Sequence, residues 1–550
     1  MRLDFLKILS RQEESYNICK DRLDTDPDSV WYGCYDSLGN GSLLPMALSL
    51  YIQPESRYYK DPDVLHVMDL SIDFCLRMQF PNGLLSLWNC NIVSPPDTGF
   101  VINNFSIVLN LLDKLAWPEL EALRRKISTF LERTIPGMVT GGFHTPNHRW
   151  VMACALSHLY RRFGNKELLD RVHQFLAEGL DVNASGEWTE RSNAVYNGVS
   201  DLYCYHLAEN IGDDSILDAV RRNLDMMQYL LHPNDCVVTE YSTRQDRGTI
   251  QYMGDYYILA YSMMAIKDQN SFYAYTAELA LSHADNFTEY LLYRALYQDE
   301  FRRIPAPQPP GDHYTVLLNE GNVTQIRKRK SSFGDPVLRH RRGKLSVTLM
   351  AGQPEFLFLQ YGKARAFNIK LPLAWFGMGG VSFPTIEKIT DTRYRLYTPV
   401  YGDYLDVFPA EQAAPYRGNW DQMPNYTERN RVNQVETAVE LFVTLREDGI
   451  DLDITADKLP YIFTQLVCVM DPEGTVTGED LRELAPHILR AEGGLAVYEL
   501  DGDCISIRGE ACGHKLSFLR GDTLIEKAQN IVFNALSPKD WHFEIRCYNK

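Results

Sequence analysis

Residues 302–312 read RRIPAPQPPGD, and the chain changes character across them. Four prolines and a glycine within eleven residues remove backbone donors and fix φ, so no helix runs through this stretch. Before it, apolar residues return every three or four positions in DVLHVMDLSIDFCLRMQ (63–79), FVINNFSIVLNLLDKL (100–115), WPELEALRRKISTFLERT (117–134), KELLDRVHQFLAEGL (166–180) and SILDAVRRNLDMMQYLL (215–231). That spacing predicts amphipathic helices, roughly ten to twelve of them, joined by short connections and packed in antiparallel pairs. After it the period becomes two, in KLSVTLMAG (344–352), EFLFLQYG (355–362), TAVELFVTL (437–445), GIDLDITA (449–456), LAVYEL (495–500) and CISIRGE (504–510). These are strands, with REDG (446–449) and DGD (501–503) supplying tight turns. The expected architecture is multi-domain α+β: an all-α domain over 1–301, a Pro-rich linker over 302–312 and an antiparallel β-sandwich over 313–550.

A chain of 550 residues exceeds what one hydrophobic core usually serves, which agrees with two domains. No run of 18 apolar residues is present in a composition that is 45% hydrophobic, so no membrane helix is expected. The start, MRLDFLKILSRQEESYN, runs into charge without the apolar core of a signal peptide. A cytoplasmic location is therefore expected, with an already processed secreted form as the other option. A net charge of −17 disfavours nucleic acid and acidic membranes as partners. The eleven cysteines are odd in number and contain no CxxC pair, which predicts reduced thiols and no structural zinc. Neither a Gly-rich phosphate loop nor a GxSxG elbow occurs, so no cofactor is expected. One segment stands out from the acidic background: RKRKSSFGDPVLRHRRGK, residues 327–344, carries eight Lys or Arg. It is either a solvated charge run or an electropositive wall for a polyanion other than nucleic acid.

Chemistry concentrates at the start of one helix, GGFHTPNHRWVMACALSHLYRRFG (141–164). Thr145 is placed to cap it and Pro146 to occupy its first position, which puts Asn147, His148, Arg149 and Trp150 in and beside the first turn. Orphan N–H groups and the positive end of the helix dipole make such a turn receptive to an anion. The same field biases a nearby imidazole towards neutrality. His144 and His148 have a metal-ligand spacing, but Pro146 puts His144 outside the helix, so no metal is expected. Two later segments also place polar groups ahead of a helix: SGEWTERSNAVYNGVSDLYCY (185–205) and EYSTRQDRGTIQYMGDYYILAY (240–261). They offer Glu190, Arg191, Asn193 and Tyr196 from the first, and Arg244, Arg247 and Tyr252 from the second. SPPDTGFVINNF (94–105) adds Asn103 and Asn104 as substrate contacts. Trp31, Trp88, Trp150 and Trp188 could stack on sugar rings.

A long helical domain followed by an antiparallel sandwich, together with TPNHRW (145–150), SGEWTERSNAVYNGVSDLYCY and LRHRRGKLSVTL (338–349), resembles the heparinase II/III-like polysaccharide lyases. The resemblance implies an incomplete (α/α) toroid followed by antiparallel sheets. It also implies that Asn147 and His148 match the family's helix-opening motif, Tyr196 its catalytic tyrosine, and His340 its histidine at the start of an early strand of the β domain. Where the family has small residues after that histidine, this chain has Arg341 and Arg342.

Taken by themselves, these side chains suit β-elimination from a uronic acid. The difficult step removes a carbon-bound proton beside a carboxylate, so that carboxylate must be neutralised. Asn147 can donate to it, and Arg191, Arg244 or Arg247 can add a charge-assisted bond. His148, Tyr196 and His340 are the candidate acid and base. The expected partner is an anionic, uronate-containing poly- or oligosaccharide. Two other classes compete: an (α/α) toroid glycoside hydrolase using a carboxylate pair from Asp97, Glu190, Asp201, Glu240 and Asp255, and a non-catalytic carbohydrate-binding protein.

Overall fold

The computed structural model describes residues 4–35, 41–324, 334–424, 428–456, 459–510, 513–523, 525 and 527–550. The chain divides into two compact units, Met1–Leu231 with Asp235–Gly311, and His232–Asn234 with Asp312–Lys550.

The first unit is built from α1 (Phe5–Lys20), α2 (Leu43–Tyr51), α3 (Pro62–Met78), α4 (Pro95–Leu115), α5 (Glu121–Thr140), α6 (Pro146–Phe163) and α7 (Lys166–Ala177). It continues through α8 (Tyr196–Ile211), α9 (Leu217–Met227), α10 (Asp255–Asp268), α11 (Ser271–His283), α12 (Thr288–Leu296) and the short α13 (Gln298–Phe301). Helix starts follow local chemistry: Asp61, Ser94, Asn165 and Asn270 each accept a first-turn N–H on their side chains, which satisfies donors that the helix itself cannot. Gly164 and Gly212, at φ of 70° and 72°, close α6 and α8 in the left-handed conformation.

Even-numbered helices form an inner layer in which α4 packs on α6, α6 on α8, α8 on α10, α10 on α12 and α12 back on α2. Odd-numbered helices lie outside their inner neighbours, as α5 does on α4, α7 on α6 and α11 on α10. This is the (α/α) toroid arrangement. Burial explains the two layers. Outer α7 buries only Leu168, Val172 and Phe175, a single stripe at helical spacing. Inner α6 buries every residue from Arg149 to Leu159, and its Ala153, Cys154, Ala155 and Ser157 are small enough to let helices approach on all sides.

In the second unit, among the described residues, all but one of the strand pairings are antiparallel. One sheet runs in the order Glu387–Lys388, Arg393–Leu405, Arg431–Arg446, Gly449–Ala456, Lys539–Asn549, Asp503–Gly509, Leu495–Leu500 and Thr475–Gly478. The other runs Leu481–Ala485, Ile488–Ala491, Gln529–Leu536, Phe463–Met470, Ala364–Lys370, Glu355–Tyr361, Leu345–Met350, Val337–Arg342 and His313–Leu318. The exception is the parallel pairing of Ile488–Ala491 with Gln529–Leu536. One core draws on both sheets, with Val347, Leu357 and Phe533 from one and Leu441, Leu452 and Phe543 from the other. That makes the unit a β-sandwich.

His232–Asn234 belong to this second unit although helices precede and follow them. The His232 imidazole lies 3.0 Å from the Ser346 hydroxyl and is tilted against Phe358, while the Asn234 side-chain amide oxygen accepts from Gln360 at 3.1 Å.

Within the described residues the basic segment is divided between interior and surface. Arg327 to Lys330 lie outside them. Arg339 is fully buried, with its guanidinium on Thr348, the Ser346 hydroxyl at 2.9 Å and the Val347 carbonyl at 3.1 Å. Arg341 bonds the Gly343 carbonyl, Arg342 pairs with Glu447 at 2.9 Å and Lys344 with Asp503 at 3.0 Å. Strand formation turns alternate side chains to opposite faces, so one stretch of charge is distributed between interior and surface.

Candidate active site

The start of α6 is capped differently from expectation. Thr145 makes no side-chain cap; instead the Glu190 carboxylate, 43 residues on, accepts the Asn147 backbone N–H at 2.9 Å. The Asn147 amide also donates to that carboxylate and, at 3.2 Å, to the Thr145 hydroxyl. The anion expected at this helix terminus is thus supplied from within the chain. Asn147 is only 1% exposed, and both of its amide hydrogens are already engaged. Its amide is therefore engaged within the chain, where the sequence expectation had it facing a ligand.

The opposite side of Glu190 meets Arg244, 3.2 Å away. The Arg244 guanidinium also lies over the ring of Tyr196, 5.3 Å from its centroid, and remains one-third exposed. Tyr196 is the first residue of α8. Its hydroxyl accepts from the Gln245 amide at 2.8 Å, while its ring packs on the cluster of Val151, Cys154, Val199 and Tyr203. Residues 244 and 245 thus grip the same tyrosine from its face and its tip. His148 is held in the same neighbourhood, in edge contact with Phe100 and His144 at 6.2 Å and 4.8 Å between centroids. Burial, with His144 and the Arg244 charge adding to it, lowers its pKa to about 4. The imidazole is neutral at any working pH above that, and its buried Nδ1 has no hydrogen-bond partner.

α4 completes the surroundings. Asp97, Phe100 and Asn104 are three and then four residues apart, hence on one helix face, and are half-buried while most of α4 is buried. Phe100 touches His148, and Asn104 lies one turn further along the same face, half-buried. Asn103 is turned inward, its amide on the Val151 carbonyl at 3.1 Å.

Several other candidates hold the scaffold together. Arg149 is buried between Glu178 at 2.9 Å and Asp181 at 2.8 Å, and Trp150 is fully buried with its N–H on Asp181. Arg191 is buried, donates to the Tyr241 carbonyl at 3.0 Å, and sits at φ of 45°, a backbone strain that a non-glycine residue holds only where its surroundings insist on it. Asn193 is fully enclosed, its amide on the Val238 carbonyl and its carbonyl oxygen on Asn197. Their substrate-contact expectation gives way to this interior role. Arg191 and Asn193 lie in a polar loop that satisfies its own backbone before it meets a ligand, whereas Arg149 and Trp150, on α6, are held by the Glu178 and Asp181 carboxylates. Arg247 is exposed on the loop that carries Arg244. Tyr252 stacks flat on His283 at 4.1 Å and is 39% exposed.

His340 belongs to the second unit. Its Nδ1 lies 2.8 Å from the Thr315 hydroxyl, its Nε2 is buried without a partner, and burial lowers its pKa to about 4. Of the carboxylates considered for hydrolysis, Glu190 is committed as above and Asp201 is fully buried against the Trp188 N–H at 2.9 Å. Asp97 is engaged by Ser94 and Asn91. Gln245 was missed from sequence. It lies beside Arg244 in the same polar loop, but only the fold puts its amide on Tyr196. Among the described residues, no group of three or more His, Cys, Asp or Glu is arranged to hold a metal, and no helix is long and apolar enough to cross a membrane.

Comparison with known proteins decides what this framework is. Structural similarity extends over all of this chain and 86% of a heparinase III, with a TM-score of 0.53 at 10% identity. It extends over 98% of this chain and 79% of the Streptomyces coelicolor A3 chondroitin AC lyase, with a TM-score of 0.53 at 11% identity. The fold is that of the heparinase-like polysaccharide lyases. A heparan sulfate lyase HepC mutant from Pedobacter heparinus is similar over all of this chain and 84% of its own, with a TM-score of 0.52 at 11% identity. No family profile matches the sequence, and no curated protein is similar to it in sequence. At such identity the lyase fold transfers and the chemistry does not, so function must be argued from the residues present.

Proposed function

We propose that the chain is a polysaccharide lyase that cleaves uronate-containing poly- or oligosaccharides by β-elimination. The observation carrying this is the placement of Arg244 between the Glu190 carboxylate and the Tyr196 ring, with Gln245 on the Tyr196 hydroxyl. A partly exposed guanidinium beside a positioned phenol is what the reaction requires. The cation takes the substrate carboxylate, so that charge can spread into it as the adjacent carbon loses its proton. Acting as its phenolate, Tyr196 takes that proton and, now a phenol, gives it to the departing glycosidic oxygen, held throughout by the Gln245 amide. Glu190 keeps Arg244 and the start of α6 in place. His148 contributes a neutral hydrogen-bonding surface that adds no competing charge, and Asn104 and Tyr252 line the approach. His340 rests on the family resemblance alone.

Incubation with uronate glycans and with neutral glycans tests the proposal. Ultraviolet absorbance from a new conjugated double bond, arising only with uronates and lost in Tyr196→Phe, is the expected result. Reducing ends without that absorbance would make the protein a hydrolase.

A further inference from the structure

Away from the candidate active site, the first unit carries a concavity of about 220 Å³ that the mechanism leaves unused. α4 contributes Ser106 and Asn110 to it, α6 contributes His158, Arg161 and Arg162, and two leucines complete the wall. His158 lies ten residues beyond His148 on α6, about 15 Å along the helix axis.

Its polar lining holds one unsatisfied buried nitrogen and one guanidinium without a carboxylate partner. His158 is 6% exposed and its Nε2 is buried without a hydrogen-bond partner. The neighbouring His206, 5.6 Å away ring to ring, is already committed to the Tyr293 hydroxyl at 2.6 Å. A buried polar group without a partner keeps its desolvation penalty, so interiors seldom leave one idle. Arg162 pairs with Asp113, which Arg124 approaches at 3.4 Å from another direction. Arg161 reaches only the Asn210 carbonyl, at 3.3 Å, and among the described residues no carboxylate lies within ion-pair distance of it. One uncompensated guanidinium, a hydroxyl, an amide and an imidazole therefore share a recess.

We propose that this recess binds a small oxyanion of the phosphate or sulfate class, free or carried as an ester on a single sugar unit. A tetrahedral oxyanion takes several donors at once, and a guanidinium fork matches its edge. The volume exceeds that of one ion, since a water's share of liquid is about 30 Å³, and leaves room for a sugar ring. Burial holds the His158 imidazole far below its ordinary pKa, so it offers a hydrogen bond and not a second charge. The competing account is that Arg161 and Arg162 merely offset the carbonyl end of α6, which would leave the His158 nitrogen without a purpose.

Thermal unfolding of the full chain at constant ionic strength, with chloride replaced stepwise by inorganic phosphate, inorganic sulfate or N-acetylglucosamine 6-sulfate, distinguishes the two. Sulfate and phosphate stabilise many proteins without binding, so the criterion is saturation. The expected result is a saturable rise in Tm whose midpoint concentration increases at least tenfold in Arg161→Gln and several-fold in Ser106→Ala. Arg125→Gln, which removes a 70% exposed arginine elsewhere on the unit, should leave it unchanged. A midpoint lower for the sugar sulfate than for free sulfate assigns the ester, and equal midpoints assign the free ion; both support the site. A rise that never saturates, one unaltered in Arg161→Gln, or one lost equally in Arg125→Gln overturns it.

Discussion

Arg244 serves two groups at once, which makes its replacement informative. Arg244→Gln removes the charge that would meet the substrate carboxylate and also leaves Glu190 without its cation. Its kcat/KM on a uronate glycan should fall by roughly 10²- to 10³-fold with the loss in kcat as well as KM, because the charge matters most once the carboxylate gains electron density. A change confined to KM would reduce Arg244 to a binding residue. Tyr196→Phe removes one oxygen and keeps the ring on the Val151, Cys154, Val199 and Tyr203 cluster. Its kcat should drop by about 10² to 10⁴-fold with KM and Tm nearly intact. Gln245→Ala should give a smaller loss of the same kind. Full activity in Tyr196→Phe would remove the proton carrier from the scheme. The lowered pKa of His148 sets the acid limb: a group whose pKa falls from its ordinary value to about 4 stays neutral until pH approaches 4. The rate profile should therefore hold through pH 6.5 and break only near 4, and a break at 6 to 7 would mean that another group titrates.

At the scale of elements, the start of α6 depends on a carboxylate supplied by the loop before α8. Glu190→Ala would strand the Asn147 N–H, its amide and Arg244 together, each charge-assisted bond being worth about 1.5–3 kcal/mol. A fall of several degrees in Tm is expected, with Glu190→Gln recovering part of it; an unchanged Tm would show that water replaces Glu190 at no cost. Helical and strand periods were readable because they reflect local geometry, and so was the polar first turn of α6. Its cap was not, since Thr145 is locally ideal and Glu190 prevails only once the 178–195 loop has folded against it. Arg339 makes the same point in the sandwich. In sequence it is one cation among eight, whereas register sets it opposite Thr348, where burial and the Thr348 and Ser346 hydroxyls decide its role. Arg339→Ala should lower Tm clearly, while Arg342→Gln, at a partly exposed pair, should change it by a degree or less. The place of Tyr196 at a helix start after a polar loop was legible because that is a local pattern, and its contact with Gln245 was not because nothing local marks one amide among many.

For the molecule as a whole, several buried histidines share one electrostatic condition. His148, His206 and His340 each have a pKa lowered to about 4, chiefly by burial. The unfolded chain, with imidazoles near 6.5, takes up protons that the folded chain refuses in between. Stability is therefore complete above pH 6.5 and declines as pH falls to 4, by about 1.4 kcal/mol per unit for each such group. Urea midpoints at pH 7 and pH 5 should differ in that direction, and a midpoint independent of pH would mean that these rings are not excluded from water. The excursion of His232–Asn234 into the second unit bears on how the chain is made. A ribosome releases this tripeptide well before its partners, because Ser346 follows His232 by 114 residues and Gln360 follows Asn234 by 126. The helical unit therefore emerges holding a segment that must wait for more than a hundred further residues, and a nascent chain stalled before residue 346 would leave those polar groups open to water and to chaperones.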